Sequence, residues 1–171
     1  MFFEERNEMS DDCQLRLSVS GLVAKIGSEI AVSKWVTIDQ SMIDSFATIS
    51  GDFQFIHVDP ARARRESQFG GTIVHGMLVL SLLPALAHQS LPAIDGRKIN
   101  INYGFDRVRF TTPVPVGSDV RARIMLKDVT RKSRQNLMIR YGVAVEIRGI
   151  ENPAAVIDWL TLMILETPVE A

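Results

Sequence analysis

Cysteine is nearly missing from this chain: Cys13 is the one thiol in 171 residues, so no internal disulfide can staple the fold. It sits in an acidic stretch with no cation nearby to lower its pKa, which makes it a bystander rather than a nucleophile. Long apolar runs are missing as well. No stretch reaches the ~18 consecutive apolar residues that a membrane-spanning helix needs. The segment Met1-Phe2-Phe3-Glu4-Glu5 offers neither the basic segment nor the apolar run of a secretory signal, so a cytoplasmic protein without a membrane partner is expected. A net charge of -1 argues against a general nucleic-acid binder, whose domain is normally basic. There is no glycine-rich phosphate loop, no G-x-G-x-x-G and no G-x-S-x-G elbow. His57, His75 and His88 show no H-x-H or H-E-x-x-H spacing and no cysteine partner. Nucleotide-driven, triad-type and zinc-dependent chemistries therefore drop in rank, and neither a metal nor another cofactor is expected.

What is present is an ordinary globular composition, 46% hydrophobic and 23% charged, at a length that suits one domain and buries a core without staples. Residues 1–21 are polar and aperiodic and are expected to form a loosely attached acidic arm, with residues 22–171 as a single domain. Charge is unevenly placed. Residues 2–12 hold five acids against Arg6, whereas residues 107–140 hold nine Lys or Arg against Asp119 and Asp128. The basic stretch, with Arg107, Arg109, Lys127 and Arg131, can attract a polyanion such as a nucleotide-tailed thioester or an acidic carrier protein. It can equally be the solvent-facing side of strands whose edges are guarded by charge.

Periodicity orders the rest. Ile30, Val32, Val36 and Ile38 suggest a strand broken by Lys34. Asp39 caps an amphipathic helix over 40–49, and Asp59-Pro60 opens a short polar helix over 61–66. The run Ile73 to Ala87 is apolar on every side, and at ~1.5 Å per residue it is too short to cross a membrane. It predicts a buried central helix that Pro84 kinks or ends, with His88 capping its C-terminus. Four strands follow it: 99–110, whose apolar set changes parity between Gly104 and Arg107 and so implies a bulge; a hairpin of 120–126 with 137–147; and 155–165, apolar nearly throughout and therefore buried on both faces or lying at a subunit contact. One buried helix ahead of long meandering strands is an α+β domain, a hotdog fold in which a curved antiparallel sheet wraps a central helix.

Two segments carry possible chemistry. In Ser50-Gly51-Asp52-Phe53-Gln54-Phe55-Ile56-His57 a carboxylate and an imidazole sit five residues apart on a turn, among apolar neighbours that would shift both pKa values. A structural histidine with a turn-capping Asp has the same appearance. In Gly71-Thr72-Ile73-Val74-His75-Gly76 the buried helix begins, and a backbone N–H in its first turn can face a carbonyl oxygen as an oxyanion hole. Gly76 can also be there only to pack closely on a strand.

Together these segments resemble the MaoC-like dehydratase domain, the hotdog family of (R)-specific enoyl-CoA hydratases. The branch similar to nodulation protein N matches further through Asn102-Tyr103-Gly104, Arg107-Val108-Arg109-Phe110 and Pro113-Val114-Pro115-Val116-Gly117-Ser118. The resemblance spans residues 22–165. It implies hydration of an enoyl thioester, with Asp52 and His57 as the catalytic pair and Gly76 N–H polarising the thioester oxygen. It also implies Ser50, Gln54, Phe55, His75, Arg107 and Arg109 as substrate-binding residues, an acyl-CoA or acyl-carrier thioester as partner, and a homodimer. Gln54-Phe55 departs from the Asn-Pro of many family members, which leaves chain-length preference open. A hotdog thioesterase and a non-catalytic acyl-thioester-binding protein are the alternatives that fold alone permits.

Overall fold

The computed structural model describes residues 15–168; the expectations for Cys13 and the acid-rich residues 2–12 lie outside them. Within the supposed arm, residues 15–21 are ordered. Strand β1 (Arg16–Leu17) leads into helix α1 (Val19–Val23), whose cap is Ser18 Oγ accepting from Gly21 N–H. β1 pairs in parallel with β4 (Ala93–Ile94), and Leu22 is buried. A two-residue strand is too short to show a period, so this docking was not legible from pattern.

The expected strand 30–38 is two pieces, β2 (Glu29–Val32) and β3 (Val36–Thr37), both paired with β6 (Asp119–Arg131). Between them the buried Ser33 lends its Oγ to the ladder, accepting from Ala122 N–H and donating to Lys34 O, which is why the alternation lapses there. Asp39 accepts from Met42 N–H and caps α2 (Gln40–Ser50), which ends at Gly51 with φ of 77°, a left-handed position suited to glycine. A single turn, α3 (Phe55–Val58), precedes α4 (Pro60–Glu66), where Asp59 accepts from Arg62 N–H and Pro60 occupies the first turn.

The apolar run is shorter as helix than its composition implies. Ile73 forms a bridge to Pro115, and Val74 N–H donates to Val114 O, so the chain stays extended until α5 (Gly76–Ser81). The rod breaks at Leu82 and resumes as α6 (Leu83–His88), because Pro84 has no N–H for the preceding turn. Its burial is one-sided. Leu78, Val79, Leu82, Leu83, Leu86 and Ala87 are buried, whereas Met77, Ser81, Pro84 and His88 form an exposed stripe.

The rod rests on an antiparallel sheet ordered β2-β6-β7-β8-β5, with β5 (Arg97–Phe110), β7 (Asn136–Ile147) and β8 (Ile150–Leu165) as its long members and β3 also joined to β6. β6 and β7 form the expected hairpin. The register of β5 against β8 shifts between Asn102 and Gly104 and between Phe105 and Arg107, the bulge that the parity change predicts. β8 is not covered on both faces. It lies between β7 and β5, with Ala155, Ile157, Trp159, Thr161, Met163 and Leu165 in the core and the alternate residues only partly covered. The result is the α+β hotdog arrangement, and its core lies between the α5–α6 rod and the inner faces of β6, β7 and β8.

Candidate active site

The turn after α2 is built to present one carboxylate. Ser50 Oγ donates to Phe46 O at 2.7 Å and accepts from Asp52 N–H at 3.3 Å, while Asp52 Oδ1 accepts from Gln54 N–H at 3.3 Å. Ser50 thus shapes the turn, and Asp52 stays exposed. His57, on α3, is buried. Its Nδ1 lies 2.7 Å from Ile73 O. A carbonyl can only accept, so Nδ1 carries the proton and the lone pair resides on Nε2. Burial pushes the His57 imidazole below its ordinary value of 6.5. The Ile73 carbonyl opposes that shift, His75 adds to it, and Asp52 opposes it.

His75 lies behind this pair. Its ring stacks on His57 with centroids 3.8 Å apart and planes 25° apart, and its Nε2 donates to the Asp52 main-chain oxygen at 3.0 Å. Donor atoms of Asp52, His57 and His75 lie within 4.8 Å of one another, a span that one water crosses with two hydrogen bonds of about 2.8 Å. The trio is poorly suited to a metal. Each imidazole spends one nitrogen on a carbonyl, the remaining His75 Nδ1 is sealed from solvent, and near-parallel rings do not converge their lone pairs.

Gly76 opens α5, and no acceptor for its N–H exists among the described residues. A Cβ there would come within 2.9 Å of the Phe110 ring, so close packing and an available N–H are both true of this position. A cavity of about 230 Å³ lies between His57, Ile73, Gly76, Val79, Phe110 and Val114. Its walls are mostly apolar, with the His57 ring and Thr112 as the polar side chains.

Two residues that sequence reasoning missed hold the parts together. Gln40 Nε2 donates to His57 O at 2.8 Å, and its Oε1 accepts from the buried Thr72 Oγ at 2.6 Å. The bracket joins the start of α2, the one-turn α3 and the strand-like approach to α5. Gln40 reads in sequence as an ordinary first-turn residue, so nothing in its spacing could have flagged it.

The remaining expected residues scatter. Gln54 is exposed and makes its hydrogen bonds through its backbone; Phe55 is half-buried with the Arg62 guanidinium 4.2 Å above its ring. Arg107 and Arg109 pair opposite Asp158 and Val156, on the side of β5 away from Val108 and Phe110. They do not line the cavity, because the register shift between Phe105 and Arg107 turns the odd positions after it outward. Much of the basic stretch is spent on cross-strand pairs on that outer face: Arg121 with Glu146, Arg123 with Glu29 and Glu146, Lys127 with Asp158, and Arg140 with Asp106.

A curved antiparallel sheet around a helix, with a carboxylate and a tautomer-fixed imidazole at the helix entrance, defines a hotdog protein with an acid-base pocket. The MaoC like domain model matches residues 22–147, and the chain belongs to that family. It is 45% identical to nodulation protein N of Rhizobium meliloti over 146 residues, 85% of this chain and 91% of that one. It is 44% identical to 3-hydroxyacyl-thioester dehydratase Z of Mycobacterium tuberculosis over 141 residues, 82% and 92% of the two chains. Among solved structures, the (R)-hydratase of A. caviae superposes with a TM-score of 0.62 at 27% identity, covering 76% of this chain and 94% of that one.

Proposed function

We propose that the chain is an (R)-specific enoyl-thioester hydratase, reversible as a 3-hydroxyacyl-thioester dehydratase, acting in the cytoplasm on acyl-CoA or acyl-carrier thioesters. The observation that carries this reading is the His57 tautomer: the Nδ1–H held by Ile73 O leaves a neutral Nε2 as proton acceptor within reach of Asp52. The dehydratase and hydratase relatives supply the reaction class.

Hydration adds hydroxyl to C3 and hydrogen to C2. A water shared by Asp52 and His57 attacks C3, and His57 Nε2 takes its proton. The C2–C3 π pair shifts to C1–C2 and the carbonyl π pair moves onto the thioester oxygen, where Gly76 N–H stabilises the negative charge of the enolate. As that enolate collapses, C2 receives the proton held by the pair, and His57 returns to neutral. Burial keeps His57 unprotonated at neutral pH, which a base requires. Gln40 and Thr72 keep α3 against the α5 entrance, so the three groups share one frame.

A homodimer belongs to the same reading. β5 is an edge strand, and Ile99, Ile101, Tyr103 and Phe110 on it are 49%, 40%, 61% and 47% exposed; Met77 on α5 is 58% exposed. That much apolar surface beside an unpaired edge suits a second copy, which sedimentation would report as twice the chain mass. The decisive assay follows loss of a short enoyl-CoA together with the chirality of the product. The reading expects the (R)-3-hydroxyacyl thioester; release of free thiol without hydration would point to a thioesterase, and saturable binding without turnover to a binding protein.

A further inference from the structure

His75 is 2% exposed and contributes no atom to the proposed reaction, yet it touches both members of the catalytic pair. Its ring is held between His57 and the Phe46 ring, whose centroid is 5.2 Å away. A carbonyl accepts its Nε2–H. The other nitrogen, Nδ1, is buried and has no partner. An unsatisfied buried acceptor costs stability, and a phenylalanine would fill the same space without that cost. Packing alone therefore does not explain a histidine here.

We propose that His75 is a positioning residue with two separable tasks: its N–H ties down the main chain at Asp52, and its face walls off the His57 ring from water. The proposal rests on the hydratase reading for its kinetic consequence, but the two contacts are measurable without turnover. The groups facing the pair from the packed elements are the Asp52 carboxylate, the Ile73 carbonyl on His57 Nδ1, the Gln40 amide on the His57 carbonyl, and Phe46 from α2. None of the other three can replace the His75 N–H on the Asp52 oxygen.

Three variants divide the tasks. His75→Phe keeps a wall and loses the tie, His75→Gln keeps a donor of similar reach and loses the wall, and His75→Ala loses both. For His75→Phe, kcat falls about 10- to 100-fold with KM within about twofold, since small displacements at a reacting centre cost that much, and the His57 titration midpoint read by imidazole NMR rises by less than in His75→Ala, because the neighbouring imidazole is gone while the wall remains. His75→Ala moves the midpoint up toward that of an ordinary histidine as water enters, and lowers kcat further. His75→Gln recovers part of the rate lost in His75→Ala. The amide shift of Phe53, whose peptide bond holds the Asp52 carbonyl, changes in His75→Phe and stays near parental in His75→Gln. Parental kcat and an unmoved Phe53 amide in His75→Phe would overturn the tie, and an unmoved His57 midpoint in a folded His75→Ala would overturn the wall. If the parent fails to hydrate any enoyl thioester, the functional reading fails, while the two NMR signals still decide whether His75 holds the pair.

Discussion

The outer face of the sheet and the pocket at the α5 entrance are both rich in titratable groups, and they are built from opposite materials. On the outer face, charge answers charge: Arg121 and Arg123 share Glu146, and Lys127 meets Asp158, all partly in water. In the pocket, the main chain does the holding. Ile73 O, Asp52 O and His57 O bind His57, His75 and Gln40, and a mostly apolar cavity borders the His57 ring. The first region is the more conspicuous in sequence, nine cations within 34 residues, and carries the less chemistry. Surface pairs exchange water for one another at little net gain, whereas a group fixed by backbone in a dry site has one tautomer and a shifted pKa.

The contrast can be broken at either end. The largest effect is expected at Asp52→Asn, which keeps the Oδ1 that accepts Gln54 N–H and so preserves the turn; turnover of an enoyl-CoA should fall about 10²- to 10⁴-fold, the usual worth of a general acid-base group. Next is Gly76→Ala. Its Cβ would press on Phe110 at 2.9 Å, so thermal melting should report a loss of about 1–3 kcal/mol, typical of overpacking, together with reduced turnover because Phe110 lines the pocket. Phe110→Ala in the same chain should restore stability. Smaller is the pH effect. The unfolded chain takes up a proton at His57 near the ordinary value of 6.5 before the folded chain does, because burial holds the folded value lower. Stability from this residue is therefore complete above 6.5 and is lost as pH falls through the lower folded value. Melting temperatures of parent and His57→Gln should converge in mild acid; a parallel decline would remove His57 as the cause. The smallest change is expected from Glu146→Gln, which removes the carboxylate charge shared by two arginines on the outer face and leaves one of its two acceptor oxygens: under about 1 kcal/mol and no change in kcat.

Much of this was legible in the residues and part was not. Strand alternation, the Asp39 and Asp59 caps and the bulge in β5 follow from period and turn chemistry, and the structure reproduces them, with β6 and β8 each running five residues beyond the expected bounds at one end. The apolar run at 73–87 misled in one respect. Its uniform composition predicts a helix covered on all sides, but a single chain leaves Met77 and Pro84 uncovered and keeps Ile73 and Val74 extended by pairing with Val114 and Pro115. Composition reports what will be buried in the end, not which surface buries it. The site was legible as a spacing, Asp52 to His57, but not as a geometry. The Gln40–Thr72 bracket spans 32 residues, and the contacts of His75 with the Asp52 main chain and the His57 ring have no signature in spacing. Arg107 and Arg109 lie opposite Val108 and Phe110, as the parity change in the apolar set implies, and so point away from the cavity.

The most direct test of the central claim is a paired measurement on His57→Gln: hydration of a short enoyl-CoA beside the affinity for its saturated analogue. Turnover at least about 100-fold below the parent, with affinity unchanged, is the predicted result. Parental turnover in the folded variant would contradict it.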